Sequence, residues 1–250
     1  MILPLRYERP QLIFEGGMGR VYRAFDAERG AEVALKTLTN AHDEEARFLF
    51  RQEFWTMATL RHPALVQAYD FGELAGGTPY FTMEWVAGTD LAEMLPVDEA
   101  AVRGFLPDVA AGLAYLHGQG LLHGDLSPRN VRLGEDGRAR LMDLGLLAPA
   151  GRAAGAIRGS LPYVAPEAVR QATLDARSDL YALGGVLFHA LAGRPPFPEE
   201  GLALLRAHLG TPAPALAGVS PAMANAVAKL LAKEPAARPA SARTLLAALD

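Results

Sequence analysis

The run His123-Gly124-Asp125-Leu126-Ser127-Pro128-Arg129-Asn130 holds the densest group of side chains able to do chemistry, and it lies between apolar segments. Pro128 cannot occupy a regular helix interior, so a loop is predicted here. Asp125 and Asn130 are five residues apart, and Asp143 follows in Met142-Asp143-Leu144-Gly145. Carboxylate and amide oxygens suit Mg²⁺, which keeps water and phosphate in its shell. The spacing indicates a magnesium–phosphate site, although a polar turn explains each residue taken singly.

A second candidate is the glycine run Gly16-Gly17-Met18-Gly19, which lies between two strand-like segments. Glycines let backbone N–H groups approach phosphate oxygens because no Cβ intervenes. Taken alone, the run also fits a plain glycine hairpin. It is not a Walker P-loop, because no Gly-Lys-Ser/Thr follows, and it is not a Rossmann turn, because no helix follows.

A third candidate pairs a cation with a carboxylate. Lys36 ends the strand-like run Val33-Ala34-Leu35-Lys36, where a lysine is usually solvated. Glu53 lies three residues after Phe50 and four before Met57, on or beside the apolar stripe of a predicted helix. A buried charge needs a partner, and Lys36 is the candidate. A lysine held by such a pair could reach the α- and β-phosphates of a nucleotide.

The elements that position these residues change in character along the chain. Short strands are predicted for the first third, interrupted by one helix over 43–60. From Val97 onward the pattern is mostly helical, although Glu135-Asp136-Gly137 predicts a hairpin turn. Strands first and helices afterwards favour an α+β chain in two lobes, with the change near Val86-Ala87-Gly88. The later helices are predicted up to about Gly118 and over 176–192, 199–208, 221–232 and 241–249.

Composition excludes several classes of protein. The 250 residues carry 24 Lys and Arg against 28 Asp and Glu, a net charge of −4 at pH 7, which argues against a nucleic-acid partner. There is no cysteine, so disulfides, thiolate metal sites and cysteine nucleophiles are excluded. No targeting signal and no membrane-length apolar run is visible, so we expect a soluble, cytoplasmic protein with no membrane partner.

Taken in order, the motifs resemble the protein-kinase signature, in detail that of bacterial Ser/Thr kinases. Ala165-Pro166-Glu167 lies in a run from Gly159 that resembles the substrate-docking segment of the family. Ser178-Asp179-Leu180-Tyr181-Ala182-Leu183-Gly184 resembles the central buried helix, and Pro235-Ala236-Ala237-Arg238-Pro239 resembles the site of the arginine that pairs with the Ala-Pro-Glu carboxylate. The resemblance implies a bilobal kinase domain over 7–249, with an N-lobe over about 7–83, a hinge over about 84–89 and a C-lobe over about 90–249.

The resemblance also implies ATP and Mg²⁺ as cofactors and a protein substrate. Asp125 would orient the substrate hydroxyl and accept its proton, Lys36 would contact the phosphates, and Asn130 and Asp143 would hold Mg²⁺. The implied catalytic residues are Asp125, Lys36, Glu53 and Arg129. The residues implied to line the nucleotide are Phe14, Gly16, Gly17, Gly19, Val21, Ala34, Lys36, the gatekeeper Met83, and the hinge residues Glu84 and Val86.

Several positions depart from the pattern of the family. Phe14 replaces the first glycine of the loop and would stiffen it, crowding the phosphates. Ser127 replaces the catalytic-loop lysine, and the guanidinium of Arg129 could substitute for that lysine. Arg132 falls where an apolar residue normally lies under the adenine, so we expect its stem to pack there with the guanidinium in solvent.

The control of activity also departs from the pattern. Gly124 replaces the arginine that normally pairs with a phosphate on the activation loop. The loop over 146–159 contains no Ser, Thr or Tyr. The missing arginine and the missing hydroxyl side chains agree with each other, so we expect that phosphorylation of this loop does not switch the activity. The alternative is one chance substitution in a loop rich in Ala, Gly and Pro.

Two other functions stay open. Small-molecule phosphotransferases of the aminoglycoside-kinase type often read His-Gly-Asp-x-x-x-x-Asn, as here, but Ala165-Pro166-Glu167, Asp179 and Arg238 belong to the protein-kinase C-lobe. A pseudokinase that binds a nucleotide or a partner is favoured by Phe14 and Ser127 and opposed by the intact metal and base residues. The sequence does not indicate the oligomeric state.

Overall fold

The computed structural model describes residues 3–16, 19–155 and 159–247. The chain divides into two units, Met1–Ala87 and Gly88–Asp250, so the division lies within the predicted hinge. The first unit is built on strands and the second on helices, which confirms the predicted α+β fold class. No described helix combines the length and apolar character that crossing a bilayer requires.

The first unit is a five-stranded antiparallel sheet with one long helix. The elements are β1 (Tyr7–Gly16), β2 (Gly19–Asp26), β3 (Ala31–Leu38), α1 (Glu44–Thr59), β4 (Ala68–Glu73) and β5 (Pro79–Glu84). The strand order is β1-β2-β3-β5-β4. Helix α1 packs on the sheet through Phe50 and Phe54, whose rings lie 4.9 and 5.8 Å from that of Phe81.

The second unit surrounds helix α5 (Ala176–Ala192), which is buried continuously from Asp179 to Phe188. The strands of this unit are β6 (Gly88–Asp90), β7 (Leu121–Leu122), β8 (Val131–Gly134), β9 (Ala139–Leu141) and β10 (Ala148–Pro149). They form a three-stranded sheet in the order β6-β8-β9 and the pair β7-β10. The helices are α2 (Leu91–Met94), α3 (Glu99–Gly118), α4 (Pro166–Val169), α5 (Ala176–Ala192), α6 (Gly201–Gly210), α7 (Pro221–Leu230) and α8 (Ala242–Leu246).

Capping side chains decide where the helices begin. The Asp43 carboxylate accepts from the N–H groups of Glu45 and Ala46 at 3.0 and 3.2 Å, so α1 starts at Glu44, one residue after the predicted start. Asp98 caps α3 in the same way by accepting from Ala101 N–H at 2.8 Å. Within the described residues α8 ends at Leu246, and residues 248–249 of the helix predicted over 241–249 lie outside the described residues.

Candidate active site

In the first unit, four of the predicted nucleotide-lining residues share one face of the sheet. Val21 pairs with Lys36 across β2 and β3, and Ala34 pairs with Met83 across β3 and β5. Directly paired residues point to the same side, and residues two apart along a strand do so as well. Val21, Ala34, Lys36 and Met83 therefore form one small surface with an ammonium among apolar side chains.

The structure contains the expected pair between Lys36 and Glu53. Lys36 Nζ lies 2.6 Å from Glu53 Oε1, and the two side chains are only 13% and 9% exposed. The buried residues Phe50 and Phe54 of α1 face the sheet, and Glu53 lies between them in sequence, so the helix carries its carboxylate to β3. The pair fixes the position of the ammonium on this face of the sheet, as a phosphate-contacting lysine requires.

The glycine loop depends on a close approach between two strands. Gly16 pairs with Gly19 at the end of the β1–β2 ladder where the chain connects the two strands, and the predicted site residue Gly17 lies outside the described residues. A Cβ on Gly19 would lie 2.2 Å from the carbonyl oxygen of Thr37, so only glycine fits. Phe14 is 58% exposed, and a Cβ on Gly16 would lie 2.7 Å from its ring, so the phenylalanine covers this glycine.

The predicted hinge residues follow β5. Glu84 is the last residue of that strand, and its N–H donates to the carbonyl oxygen of Gln67 at 2.8 Å. This N–H is therefore engaged within the unit, so a ligand would use other backbone groups of the segment. Val86 is buried, two residues further on.

In the second unit, hydrogen bonds from both sides orient Asp125. The N–H of Ser160 donates to Asp125 Oδ1 at 2.8 Å, and Asn130 Nδ2 donates to the Asp125 carbonyl oxygen at 2.7 Å. The N–H of Asp125 itself donates to His123 Nδ1 at 3.3 Å. The carboxylate that is predicted to act as base is therefore held against the first residue after Gly159, in the segment that resembles the substrate-docking region.

Asp179 holds this loop, and sequence reasoning did not assign it a role in the site. Its carboxylate accepts from the N–H groups of His123 and Gly124 at 2.8 and 3.0 Å, and it lies 2.8 Å from His117 Nε2. Burial raises the pKa of Asp179, but the hydrogen bond and charge of His117, the charge of His123 and the hydrogen bond from the Gly124 N–H together outweigh burial, so the pKa lies below its ordinary value. An acidic residue directly before the largely apolar run 180–188 was the available sequence signal.

Asn130 and Asp143 offer oxygen atoms with the chemistry that Mg²⁺ requires. Because Asn130 Nδ2 is bound to the Asp125 carbonyl, its Oδ1 is the atom left to face a cation. The N–H of Met142 donates to the Asn130 carbonyl at 2.9 Å, which joins the two chain segments directly before Asp143. Asp143 has φ 48°, a left-handed conformation that is uncommon outside glycine and recurs at functional sites.

Glu167 and Arg238 form the ion pair that the resemblance implied. Arg238 Nη1 lies 2.7 Å from Glu167 Oε1, and both side chains are buried. Burial raises the pKa of Glu167, but the hydrogen bonds and charge of Arg238 outweigh burial, so the pKa lies below its ordinary value. The pair fixes the end of the segment that begins at Gly159.

The positions that depart from the family pattern have distinct surroundings. Ser127 is buried, and Arg129 is exposed on the short 3₁₀ helix Pro128–Asn130. Burial raises the pKa of Tyr163 to about 12, and the positive charge of Arg129 opposes this rise as the smaller effect. The Arg132 guanidinium, which was expected to reach solvent, donates to Asp90 Oδ1 and to the Gly88 carbonyl, each at 2.7 Å, and the side chain is 19% exposed. The paired strands β6 and β8 bring these groups together.

Comparison with known proteins agrees with this arrangement. The model of the protein kinase domain family matches residues 7–248. The DNA damage-responsive serine/threonine-protein kinase RqkA of Deinococcus radiodurans is 38% identical over 98% of this chain and 39% of its own length. The serine/threonine-protein kinase pkn3 of Myxococcus xanthus is 35% identical over 98% of this chain and 49% of its own length. The serine/threonine-protein kinase PknL of Mycobacterium tuberculosis is 34% identical over 100% of this chain and 66% of its own length.

The chain therefore spans between about two fifths and two thirds of the length of these relatives. The match to the family model covers nearly every residue from the first strand to the last helix, including each motif described above. This chain belongs to the protein kinase domain family.

Proposed function

We propose that this chain transfers the γ-phosphoryl group of ATP to Ser or Thr hydroxyls of a protein substrate. The observation that carries the proposal is the Lys36–Glu53 ion pair at 2.6 Å, because phosphate positioning in kinases needs this lysine and glutamate together. The names of the relatives, all serine/threonine-protein kinases, support the acceptor class.

The proposed roles follow from the chemistry of each group. Lys36 would neutralise charge on the α- and β-phosphates, and the surface formed by Val21, Ala34 and Met83 would pack on the adenine. Asp125 would orient the acceptor hydroxyl and take its proton. Asn130 and Asp143 would hold Mg²⁺, which when bound neutralises charge on the phosphate oxygens. Catalysis of this kind consists mainly of positioning and charge neutralisation of a loose, anionic transition state.

We infer further that phosphorylation of loop 146–159 does not control this activity. No hydroxyl side chain occurs in that loop, so it has no Ser, Thr or Tyr that could carry a phosphate. Gly124 has φ 76°, and a Cβ there would lie 2.7 Å from the Leu146 carbonyl oxygen. The residue before Asp125 therefore has no guanidinium that could bind a phosphate, and the loop has no phosphorylated hydroxyl that such a guanidinium could bind.

The test is transfer from labelled ATP with Mg²⁺ to a generic protein substrate, followed by identification of the modified residue. We expect label on Ser or Thr that disappears in Asp125→Ala and persists in Asp136→Ala, a matched change in the exposed β8–β9 turn. Pretreatment with a phosphatase should leave the rate unchanged. A rate that collapses after that treatment would contradict the inference on the loop.

The pseudokinase alternative has one supporting observation, the ring of Phe14 against Gly16 in the loop that would cover the phosphates. It predicts nucleotide binding without transfer to any acceptor. Transfer to an aminoglycoside but not to protein would instead support the small-molecule alternative. The same assay therefore separates the three functions.

A further inference from the structure

The position of helix α1 decides whether Glu53 reaches Lys36, because the helix carries the carboxylate and β3 carries the ammonium. The buried side chains of α1 lie from Phe50 onward, whereas residues 44–49 include no buried residue. Apolar packing therefore fixes the later turns of the helix and leaves its N-terminal turns to polar contacts.

Arg47 makes such polar contacts with the turn between β4 and β5. Its Nη1 donates to the Gly77 carbonyl oxygen at 2.6 Å, and its Nη2 donates to Glu73 Oε1 at 2.8 Å. Although this side chain is charged, it is only 17% exposed. We refer to the contacts of Arg47 with Glu73 and Gly77 as the Arg47 clasp. Charge-assisted hydrogen bonds from two arms of a planar guanidinium fix direction as well as distance.

The turn that receives this guanidinium is itself ordered by backbone hydrogen bonds. The N–H of Leu74 donates to the Thr78 carbonyl at 2.8 Å, and the N–H of Gly77 donates to the Leu74 carbonyl at 2.9 Å. Strand β5, which follows the turn, pairs directly with β3. The Arg47 clasp therefore ties the N-terminal turns of α1 to the same sheet that carries Lys36.

We propose that Arg47 is a positioning residue: the Arg47 clasp sets the orientation of α1 that brings Glu53 to Lys36. Glu53 lies six residues after Arg47. That separation is about 9 Å along a helix, so a shift at the clasp also moves the carboxylate. The consequence for phosphoryl transfer rests on the proposed function, since a misplacement of about 1 Å in a catalytic site can cost about a hundredfold in rate.

The Arg47 clasp also concerns the control of the site. All of its contacts lie within the first unit. The Lys36–Glu53 pair is formed in a chain whose loop 146–159 has no hydroxyl side chain. The clasp thus holds the pair by contacts that require no phosphorylation of that loop, in agreement with the inference on control made above.

Arg51 provides a matched comparison on the same helix. Its Nη2 lies 3.3 Å from the same oxygen of Glu73, but its side chain is 49% exposed. An exposed ion pair of this kind contributes little. Arg47→Met and Arg51→Met therefore remove the same chemical group from the same helix and the same carboxylate, and only the first change removes the bond to the Gly77 carbonyl.

The first test follows the Lys36 side chain by NMR in a chain labelled with ¹³C-lysine. The chain has three lysines, so three Cε signals are expected, and Lys36→Arg assigns one of them. We expect Arg47→Met to move the Lys36 signal toward its position in Glu53→Gln, whereas Arg51→Met should leave it in place. A general loss of stability would not move this signal while circular dichroism shows that the variant is folded.

The second test is steady-state transfer from ATP to a protein substrate. Arg47→Met should lower kcat about tenfold, and Arg51→Met should stay within about twofold of the original chain. Because Arg47 and Glu53 act through the same ion pair, Arg47→Met should add little to the loss that Glu53→Gln already causes.

An unchanged Lys36 signal in folded Arg47→Met would overturn the proposal, and so would losses in kcat that add in full to those of Glu53→Gln. If Arg47→Met does not fold, Glu73→Ala removes one acceptor of the clasp and should move the signal part of the way. An unchanged signal in that variant would overturn the proposal as well. The lysine spectrum needs no ATP, so a chain that transfers no phosphate would contradict the proposed function while the spectrum still decides the role of Arg47.

Discussion

Glu167 and Arg238 lie 71 residues apart in the sequence and form a two-point ion pair, with Nη1–Oε1 and Nη2–Oε2 distances of 2.7 and 2.8 Å. Ser178 Oγ donates to the same carboxylate at 2.7 Å. The guanidinium also donates to three carbonyl oxygens, those of Arg177, Ala232 and Lys233. One buried side chain thus joins α4, the start of α5 and the segment after α7.

Arg238→Ala should lower the free energy of unfolding by about 3–5 kcal/mol, because it leaves the Glu167 carboxylate buried without its partner. The matched control is Arg138→Ala, which removes an arginine whose ion pair with Asp108 is exposed and which should scarcely change the unfolding midpoint. Urea unfolding, monitored by circular dichroism, gives the unfolding free energy and the midpoint of each variant. Equal midpoints for the two variants would mean that the buried pair contributes little.

Stability should depend on pH through His208. Burial lowers its folded pKa to about 4, whereas an unfolded histidine titrates near 6.5. Between these values the unfolded chain binds more protons, so stability falls as the pH falls through this window, by about 3 kcal/mol in total. Unfolding free energies at pH 7, 5.5 and 4.5 should show this loss, and His208→Gln should reduce it. If the unfolding free energy of that variant falls with pH as steeply as in the original chain, groups other than His208 cause the loss.

Gly19→Ala should disturb the sheet, because its Cβ would lie 2.2 Å from the backbone oxygen of Thr37 and backbone cannot rotate away. We expect the free energy of unfolding to fall by about 1–3 kcal/mol, as at other overpacked sites. Gly104→Ala is the control, since a Cβ there meets nothing within 4 Å on an exposed face of α3 and alanine favours helix. Thermal unfolding of the two variants should therefore shift in opposite directions.

The pairing of Lys36 with Glu53 was predictable because it leaves a signal in local sequence. A carboxylate beside the apolar positions Phe50 and Met57 must face the protein, and a buried charge requires a partner. The α+β class followed from the same periodicity, since strands and helices differ in the spacing of their apolar residues.

Other features depend on distances between segments that no local pattern encodes. Asp179 accepts backbone N–H groups 55 and 56 residues away, and Arg132 meets Asp90 only because β6 and β8 pair. The end of α8 at Leu246 is also not visible in periodicity. Such contacts follow from the packing of whole elements, so sequence reasoning could name Arg132 as unusual without finding its partner.

Asp179→Asn should destabilise the chain by about 2–4 kcal/mol, because the N–H groups of His123 and Gly124 donate to different carboxylate oxygens and an amide nitrogen would replace one of those two acceptors. Asp175→Asn, which alters only the exposed cap of the same helix, is the control and should cost about 1 kcal/mol or less. Hydrogen exchange at the backbone amides of His123 and Gly124 measures directly whether these two hydrogen bonds are lost. If these amides stay as protected in Asp179→Asn as in the original chain, Asp179 does not hold the loop.

Glu53→Gln should separate positioning of Lys36 from folding. The amide has nearly the shape of the carboxylate but no charge, so the ammonium loses its ion pair while α1 keeps its packing. On the proposed function, transfer from ATP should fall at least about tenfold, a cost of about 1.4 kcal/mol or more in the barrier. Glu44→Gln, in the exposed first turn of the same helix, should leave the rate unchanged. Equal rates for the two variants, with both chains folded, would show that Glu53 does not position the lysine for catalysis.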